Sequence, residues 1–362
     1  MRVVLLTTYL AGYRVPLYER LHQRYGIEVL CYGGGERYVP AWFKDLDAQL
    51  AAAPFPARWL QGGAREAFAV SRRYDAVIAP FAGGAVLPAA YFGARRFVLW
   101  ASVWAQPRGF RHAVALPVTQ RIYRRADAVV AYGEHVRRFV AGVRGRDDDV
   151  FVAPQSVEPE LFARTVDPDS LRAFRAQHRL GDGPLAVYVG RLVAEKGVAL
   201  LLDAWRDVDA TLVVIGDGPL ESQARIARNV RFLGPLAREQ LPVAYAASLF
   251  ALLPSIPTPL WREPWGLVCN EAMHQRRPII ASDAVGAVAG GLVRDEVNAL
   301  VVPAGDREAL ARAATRLLGD RSLRARLGTE ALQSVAPYTY DAMADAFGRA
   351  LAVAIKPSPT GP

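Results

Sequence analysis

The stretch "LAVYVGRLVAEKGVALLLDAW" (residues 185–205) holds a strand, a turn and a helix in one short run. Leu185 to Val189 are apolar without alternation, as expected of a strand buried on both faces, and Gly190 ends the run. Arg191 follows at once, and Lys196 comes five residues later, where the helical pattern starts. Two cations beside a helix N-terminus can address phosphates. The lysine is informative because the chain has 44 basic residues, of which only Lys44, Lys196 and Lys356 are lysine. A compact ammonium beside a planar guanidinium can divide a diphosphate between them.

The same alternation extends outward in both directions. "ATLVVIGDGP", "VRFLG", "LFALLPS", "RPIIAS" and "NALVVPAG" are further strands, separated by helix-length segments such as "DREALARAATRLLGD". Upstream, "RVVLLTTY", "IEVLCYGGG", "YDAVIAP", "RFVLWAS", "ADAVVAYG" and "DVFVAP" repeat the scheme. Buried strands with helical connections predict α/β architecture, two doubly wound parallel sheets. "PQSVEPELFARTVDPDS" (154–170), rich in proline and acid, reads as the join. The expected domains are 1–163 and 164–336, with 337–362 forming a last helix and a disordered tail. Ligands of such sheets collect at the strands' carboxyl ends, so a cleft between the two is the expected site.

Bulk properties exclude several classes. The chain has 362 residues, enough for two cores, and an ordinary 52% hydrophobic content. Cys31 and Cys269 are the two cysteines and make no disulfide framework, which points to a reducing, cytoplasmic setting. No signal peptide is expected, and the most apolar later run, "LPVAYAASLFALLPSIP", is cut by prolines too often to span a bilayer. Residues 1–150 hold 21 basic and 12 acidic residues, so the whole net charge of +9 lies there. That asymmetry predicts a peripheral association with an anionic membrane surface rather than with nucleic acid.

The stretch "EPWGLVCNEAM" (263–273) places Glu263 and Glu271 around an apolar helix start, with Pro264 suited to the first helical position. A carboxylate beside free helix N–H groups suits an anionic, hydroxyl-rich ligand. No P-loop or GxGxxG signature occurs. Gly33, Gly34 and Gly35 read as a flexible turn at a strand end, and "RDDDV" (146–150) as a solvated turn rather than a metal cluster. The five histidines show no ligand spacing, so neither metal nor other cofactor is expected. His112, in the loop "QPRGFRHA" after a strand, is a candidate base or hydroxyl contact.

In order along residues 184–320, "GRLVAEKG", "VVIGDGP", "VRFLG", "YAASLFALLPS" and "EPWGLVCNEAM" resemble the motifs of family 4 glycosyltransferases of the GT-B fold. The resemblance implies retaining transfer of a sugar from a nucleotide-diphosphate sugar of UDP or GDP type, without an obligatory metal. It implies that Arg191 and Lys196 hold the diphosphate, that Glu263 contacts the donor sugar, and that the Gly266 and Leu267 amides meet sugar or phosphate. Glu271 would take the ribose hydroxyls, with Asp217, Gly218, Phe232 and Leu233 near the base. Gly12 and Arg14, in the first loop, would be further donor-phosphate contacts. The chain departs from the family pattern in having no Glu within "VGAVAGGLV" and in reading Asn298-Ala299 where relatives read Asn-Gly.

These implications make the first domain the acceptor side, taking a glycan or lipid-linked precursor, and the second the donor side. The alternatives of different chemistry are a nucleotide-sugar epimerase and an inactive nucleotide- or carbohydrate-binding protein.

Overall fold

The computed structural model describes residues 1–33, 46–81 and 84–356. The chain divides into two compact units, Met1–Gln155 with Tyr340–Pro362, and Ser156–Thr339. Residues 156–163 thus belong to the second unit. Phe162 is fully buried there, and the Gln275 side-chain amide donates to the carbonyls of Phe162 and Arg164.

In the first unit, seven parallel strands take the order β3-β2-β1-β4-β5-β6-β7. They are β1 (Val3–Thr7), β2 (Ile27–Cys31), β3 (Ala57–Trp59) and β4 (Ala76–Pro80), then β5 (Phe97–Ala101), β6 (Ala128–Ala131) and β7 (Val150–Val152). β3 has no counterpart among the expected strands. It is a three-residue edge strand in which Arg58 is exposed, too short and too polar to stand out. Helices α1 (Val15–Tyr25), α2 (Leu46–Ala51), α3 (Gly63–Ser71), α4 (Val86–Gly93), α5 (Phe110–Arg125) and α6 (Glu134–Arg144) connect them.

The second unit has six parallel strands in the order β10-β9-β8-β11-β12-β13. These are β8 (Leu185–Val189), β9 (Thr211–Ile215), β10 (Val230–Gly234), β11 (Phe250–Leu253), β12 (Ile279–Ser282) and β13 (Ala299–Val302). Its helices begin with α7 (Pro159–Phe162), α8 (Pro168–Gln177), α9 (Val198–Ala204), α10 (Glu221–Ile226) and α11 (Leu241–Ala247). They continue with α12 (Leu267–His274), α13 (Gly286–Ala289), α14 (Arg307–Gly319) and α15 (Arg321–Val335). Local chemistry sets the ends: the Asp306 and Asp320 carboxylates each accept an N–H of the first turn, at 2.8 Å from Ala309 and Leu323.

Each sheet is two-sided. All of β1, β5, β6 and β11 is buried, so both faces carry apolar cores. The last helix, α16 (Tyr340–Ile355), completes the first unit. Met343, Phe347 and Leu351 join Val3, Leu5 and Val29 in one core, and Phe347 meets the Trp100 ring edge-on at 5.2 Å. Each such side chain contributes roughly 1.5–3 kcal/mol, so α16 holds to this sheet. Arg24 adds ion pairs to Asp341 and Asp345.

Candidate active site

Loops that follow β8, β11 and β12 converge at the carboxyl edge of the second sheet. After β8, a tight 3₁₀ turn, Ala194–Lys196, precedes α9. Tyr188 donates its hydroxyl to the Arg191 carbonyl at 2.8 Å, which fixes the turn. Arg191 is partly exposed, with Nη2 3.6 Å from Glu195 Oε1.

Lys196 forms an ion pair with Glu263, although sequence reading aimed both at a ligand separately. Ser255, which follows β11, donates to the same Glu263 oxygen at 3.0 Å, and its own carbonyl accepts from the Ser282 hydroxyl. The Lys196 ammonium also lies 5.5 Å from the Trp261 ring centroid. The pair is largely desolvated, with side-chain exposures of 14% and 7%. Such a pair is held by geometry and extra hydrogen bonds rather than by net Coulomb gain. Ser255 and Trp261 carried no signal of their own, because only the tertiary meeting of three loops gives them a partner.

The helix after Glu263 begins later than the sequence suggests. Pro264 is not its first residue: Gly266, at φ 96°, precedes α12, which starts at Leu267. A Cβ on Gly266 would lie 2.5 Å from the Leu253 side chain, so the left-handed turn and the close approach both require glycine. Trp265 then points its indole N–H at Asn270 Oδ1, 2.8 Å away, and turns the chain into the helix. On the next turn Glu271 accepts the Tyr245 hydroxyl at 2.6 Å. Burial raises the Glu271 carboxyl above the usual range, while the Tyr245 hydrogen bond and the Arg238 charge pull the other way.

Asp217 follows β9, the strand beside β8, and its carbonyl accepts the Leu192 N–H at 2.6 Å. Phe232 and Leu233 are half-buried on β10, one strand further out, and the Arg225 guanidinium lies 4.6 Å from the Phe232 ring. The second unit therefore gathers Arg191, Lys196, Glu263, Gly266, Leu267 and Glu271 around β8 and α12, with Asp217 and Leu233 to one side.

In the first unit Gly12 and Arg14 form a 3₁₀ turn after β1. Arg14 is buried, donating to Gln155 Oε1 at 2.7 Å and to the Tyr132 hydroxyl at 3.0 Å, with its guanidinium 4.8 Å from the Trp100 ring. Its Nη1 is buried without a partner. His112 is not in a loop: α5 starts at Phe110, and His112 is exposed on the first turn. The acidic turn after α6 is not simply solvated, because Asp147 pairs with Arg137 and Asp149 with Arg144 and Arg146. Among the described residues, no group of three or more His, Cys, Asp or Glu could hold a metal ion. Gly33 is described, whereas Gly34, Gly35 and the tail from 357 lie outside the described residues.

Two doubly wound parallel sheets define the GT-B architecture. Its solved examples include HepE from Anabaena in complex with UDP, with a TM-score of 0.80 at 20% identity over 97% of this chain and 100% of that one. WaaG, a glycosyltransferase involved in lipopolysaccharide biosynthesis, superposes with a TM-score of 0.69 at 15% identity over 97% and 99%. The family described as glycosyl transferases group 1 matches residues 171–334. A GDP-mannose-dependent alpha-(1-6)-phosphatidylinositol monomannoside mannosyltransferase of Mycobacterium tuberculosis is 30% identical over 284 residues, 72% of each chain. The alpha-D-kanosaminyltransferase of Streptomyces kanamyceticus is 32% identical over 196 residues, and this chain spans about half of its length, 49%. The chain belongs to the group 1 glycosyl transferases, of the family 4 type.

Proposed function

We propose that this protein transfers a sugar from a nucleotide-diphosphate sugar to a hydroxyl acceptor, with retention of anomeric configuration. The observation that carries the reading is the meeting of Lys196, Glu263 and Ser255 at the carboxyl edge of β8 and β11, beside the N-terminus of α12. In this reading Arg191 and Lys196 take the diphosphate, and Glu263, released from Lys196, accepts the donor sugar's hydroxyls. The C1–O bond to the diphosphate breaks with its electron pair leaving on the phosphate oxygen, where the two cations and the helix amides stabilise it. The acceptor oxygen forms the new bond on the same face of the sugar and passes its proton to the departing diphosphate oxygen. Glu271, held by Tyr245, takes the ribose hydroxyls, and Asp217, Phe232 and Leu233 flank the base. His112, exposed on the first turn of α5, contacts the acceptor in this reading, so the first unit is the acceptor domain and the second the donor domain.

The donor is of UDP or GDP type. A relative's name states GDP-mannose dependence, and the HepE structures contain UDP and UDP-glucose. The acceptor is a glycan or lipid-linked precursor at the cytoplasmic face of a membrane. Helix α5 supports that placement, with Phe110, Val114 and Val118 exposed at four-residue spacing among exposed Arg111, Arg121, Arg124 and Arg125. Among the described residues no helix is long and apolar enough to cross a membrane. Release of nucleoside diphosphate, measured with and without acceptor, tests the reading. Because the two cations do the charge neutralisation, turnover is expected to persist in EDTA; complete loss, restored by magnesium or manganese, refutes that role.

A further inference from the structure

Four arginines, Arg276, Arg277, Arg321 and Arg324, line an open pocket of about 350 Å³ in the second unit. Leu249 and Pro278, also in its wall, directly precede β11 and β12, so the pocket lies at the amino ends of these strands. Ser255 and the pair at Glu263 lie beyond the opposite ends, roughly 13 Å away at the rise of a four-residue strand.

The fold brings the four together by a close approach. Gly328 of α15 has no room for a side chain, since a Cβ there would stand 2.3 Å from the Arg276 carbonyl oxygen. The helix therefore runs against the turn that joins α12 to β12. Arg321, Arg324 and Gly328 recur at three and seven positions, which puts both arginines on the face that meets that turn. Arg276 itself is held in the left-handed region, at φ 54°.

Several other arginines of this unit are answered by carboxylates: Arg307 by Asp203 and Asp207, Arg316 by Glu296, Arg225 by Glu221. Among the described residues none of the four pocket arginines has such a partner. Two of them use part of the guanidinium on helix ends, Arg277 donating to the Ala246 carbonyl and Arg324 to Leu318, each at 2.9 Å, and Arg324 also to Leu317. That leaves Arg277 Nε buried with no hydrogen-bond partner. Burial also lowers the Arg277 pKa, as expected where a cation is desolvated without a counter-charge. The nearby Asp320 carboxylate accepts the Leu323 N–H as the cap of α15.

We infer that this pocket binds a phosphorylated small molecule, its phosphoryl dianion held by Arg276, Arg277, Arg321 and Arg324 and its carbon body against Leu249 and Pro278. Guanidinium forks match phosphate oxygens in pairs, and several forks around one dianion relieve the repulsion that the cluster otherwise carries. The volume is that of a small ligand site rather than of a bare ion. Thr329 adds a hydroxyl at the rim. The site is separate from the donor residues and does not rest on their assignment.

Calorimetry on the full chain tests this with glucose 6-phosphate, inorganic phosphate and glucose as probes. Saturable binding of glucose 6-phosphate, weaker binding of phosphate and none of glucose is expected. Arg276 and Arg321 are exposed, so the double variant Arg276→Glu/Arg321→Glu keeps the fold, checked by its melting curve, and loses at least about tenfold in affinity. Arg191→Ala, which removes a partly exposed donor-side cation, is expected to bind the sugar phosphate as the wild type does. Unchanged affinity in the double variant, loss in Arg191→Ala instead, or no saturable binding by the wild type overturns the proposal.

Discussion

The two units share a sheet order and differ in what their carboxyl edges carry. In each, the first strand is central, two strands run to one side and the rest to the other. Yet the second unit holds a desolvated Lys196–Glu263 pair and a half-buried Glu271, whereas the first packs Arg14 against Tyr132, Gln155 and Trp100 and leaves apolar side chains of α5 exposed. One backbone plan thus serves opposite electrostatic ends. The candidate site lies in the loops after the strands, and the sheets position them.

The largest expected effect would break this contrast at its centre. Lys196→Ala leaves Glu263 desolvated without its cation, so a loss of about 3–5 kcal/mol in stability is expected, read from urea denaturation. Lys196→Met with Glu263→Gln should recover most of it, because no buried charge remains, while turnover stays at least about a hundredfold down. Recovery of turnover in the double variant would mean that the pair is structural only.

His274 sharpens the comparison next, since it is buried at the end of α12 with its pKa pushed down to about 4, mainly by burial. The unfolded imidazole takes up a proton near pH 6.5 and the folded one does not until about 4, so stability is full above 6.5 and falls as the pH drops through that window. The loss approaches about 3 kcal/mol at pH 4. His274→Asn should flatten this part of the pH–stability profile; an identical slope in the variant would assign it to other groups.

Glu271→Gln should act in two directions. Its raised pKa means that the folded state favours the protonated form, so the native carboxyl's contribution is present at low pH and lost as pH rises from the ordinary carboxyl range through the raised value. The amide keeps an acceptor for Tyr245 and removes the buried charge, so a rise of a few degrees in melting temperature at pH 7, absent near pH 4, is expected. Nucleotide affinity should fall about tenfold or more, as for a lost charged hydrogen bond. A variant that gained stability and kept its affinity would separate Glu271 from the ribose.

The smallest effect belongs to the first unit. Phe110→Ser with Val114→Ser should reduce co-sedimentation with anionic vesicles about tenfold and leave stability within about 0.5 kcal/mol, since both side chains are exposed. Binding by the wild type should weaken with salt and be poor on neutral vesicles. Equal binding to both vesicle types would remove the electrostatic part of the reading.

Sequence alone determined the two parallel sheets, because strands buried on both faces must be apolar throughout and β1, β6, β8, β11 and β12 display this directly. It also singled out Arg191, Lys196, Glu263 and Glu271 as candidates, because their positions after strands or around a helix start are a matter of spacing. Three features were settled only in tertiary structure. The Lys196–Glu263–Ser255 meeting joins Lys196 to a loop 67 residues further along the chain. The start of α12 at Leu267 rather than Pro264 follows from the packing of Gly266 on Leu253 and Trp265 on Asn270. The arginine pocket exists because Gly328 admits the Arg276 backbone. Periodicity records which side of an element is buried, but it carries no information on which distant loop arrives there, since that is decided by backbone approach and by which polar groups must be satisfied once water is gone.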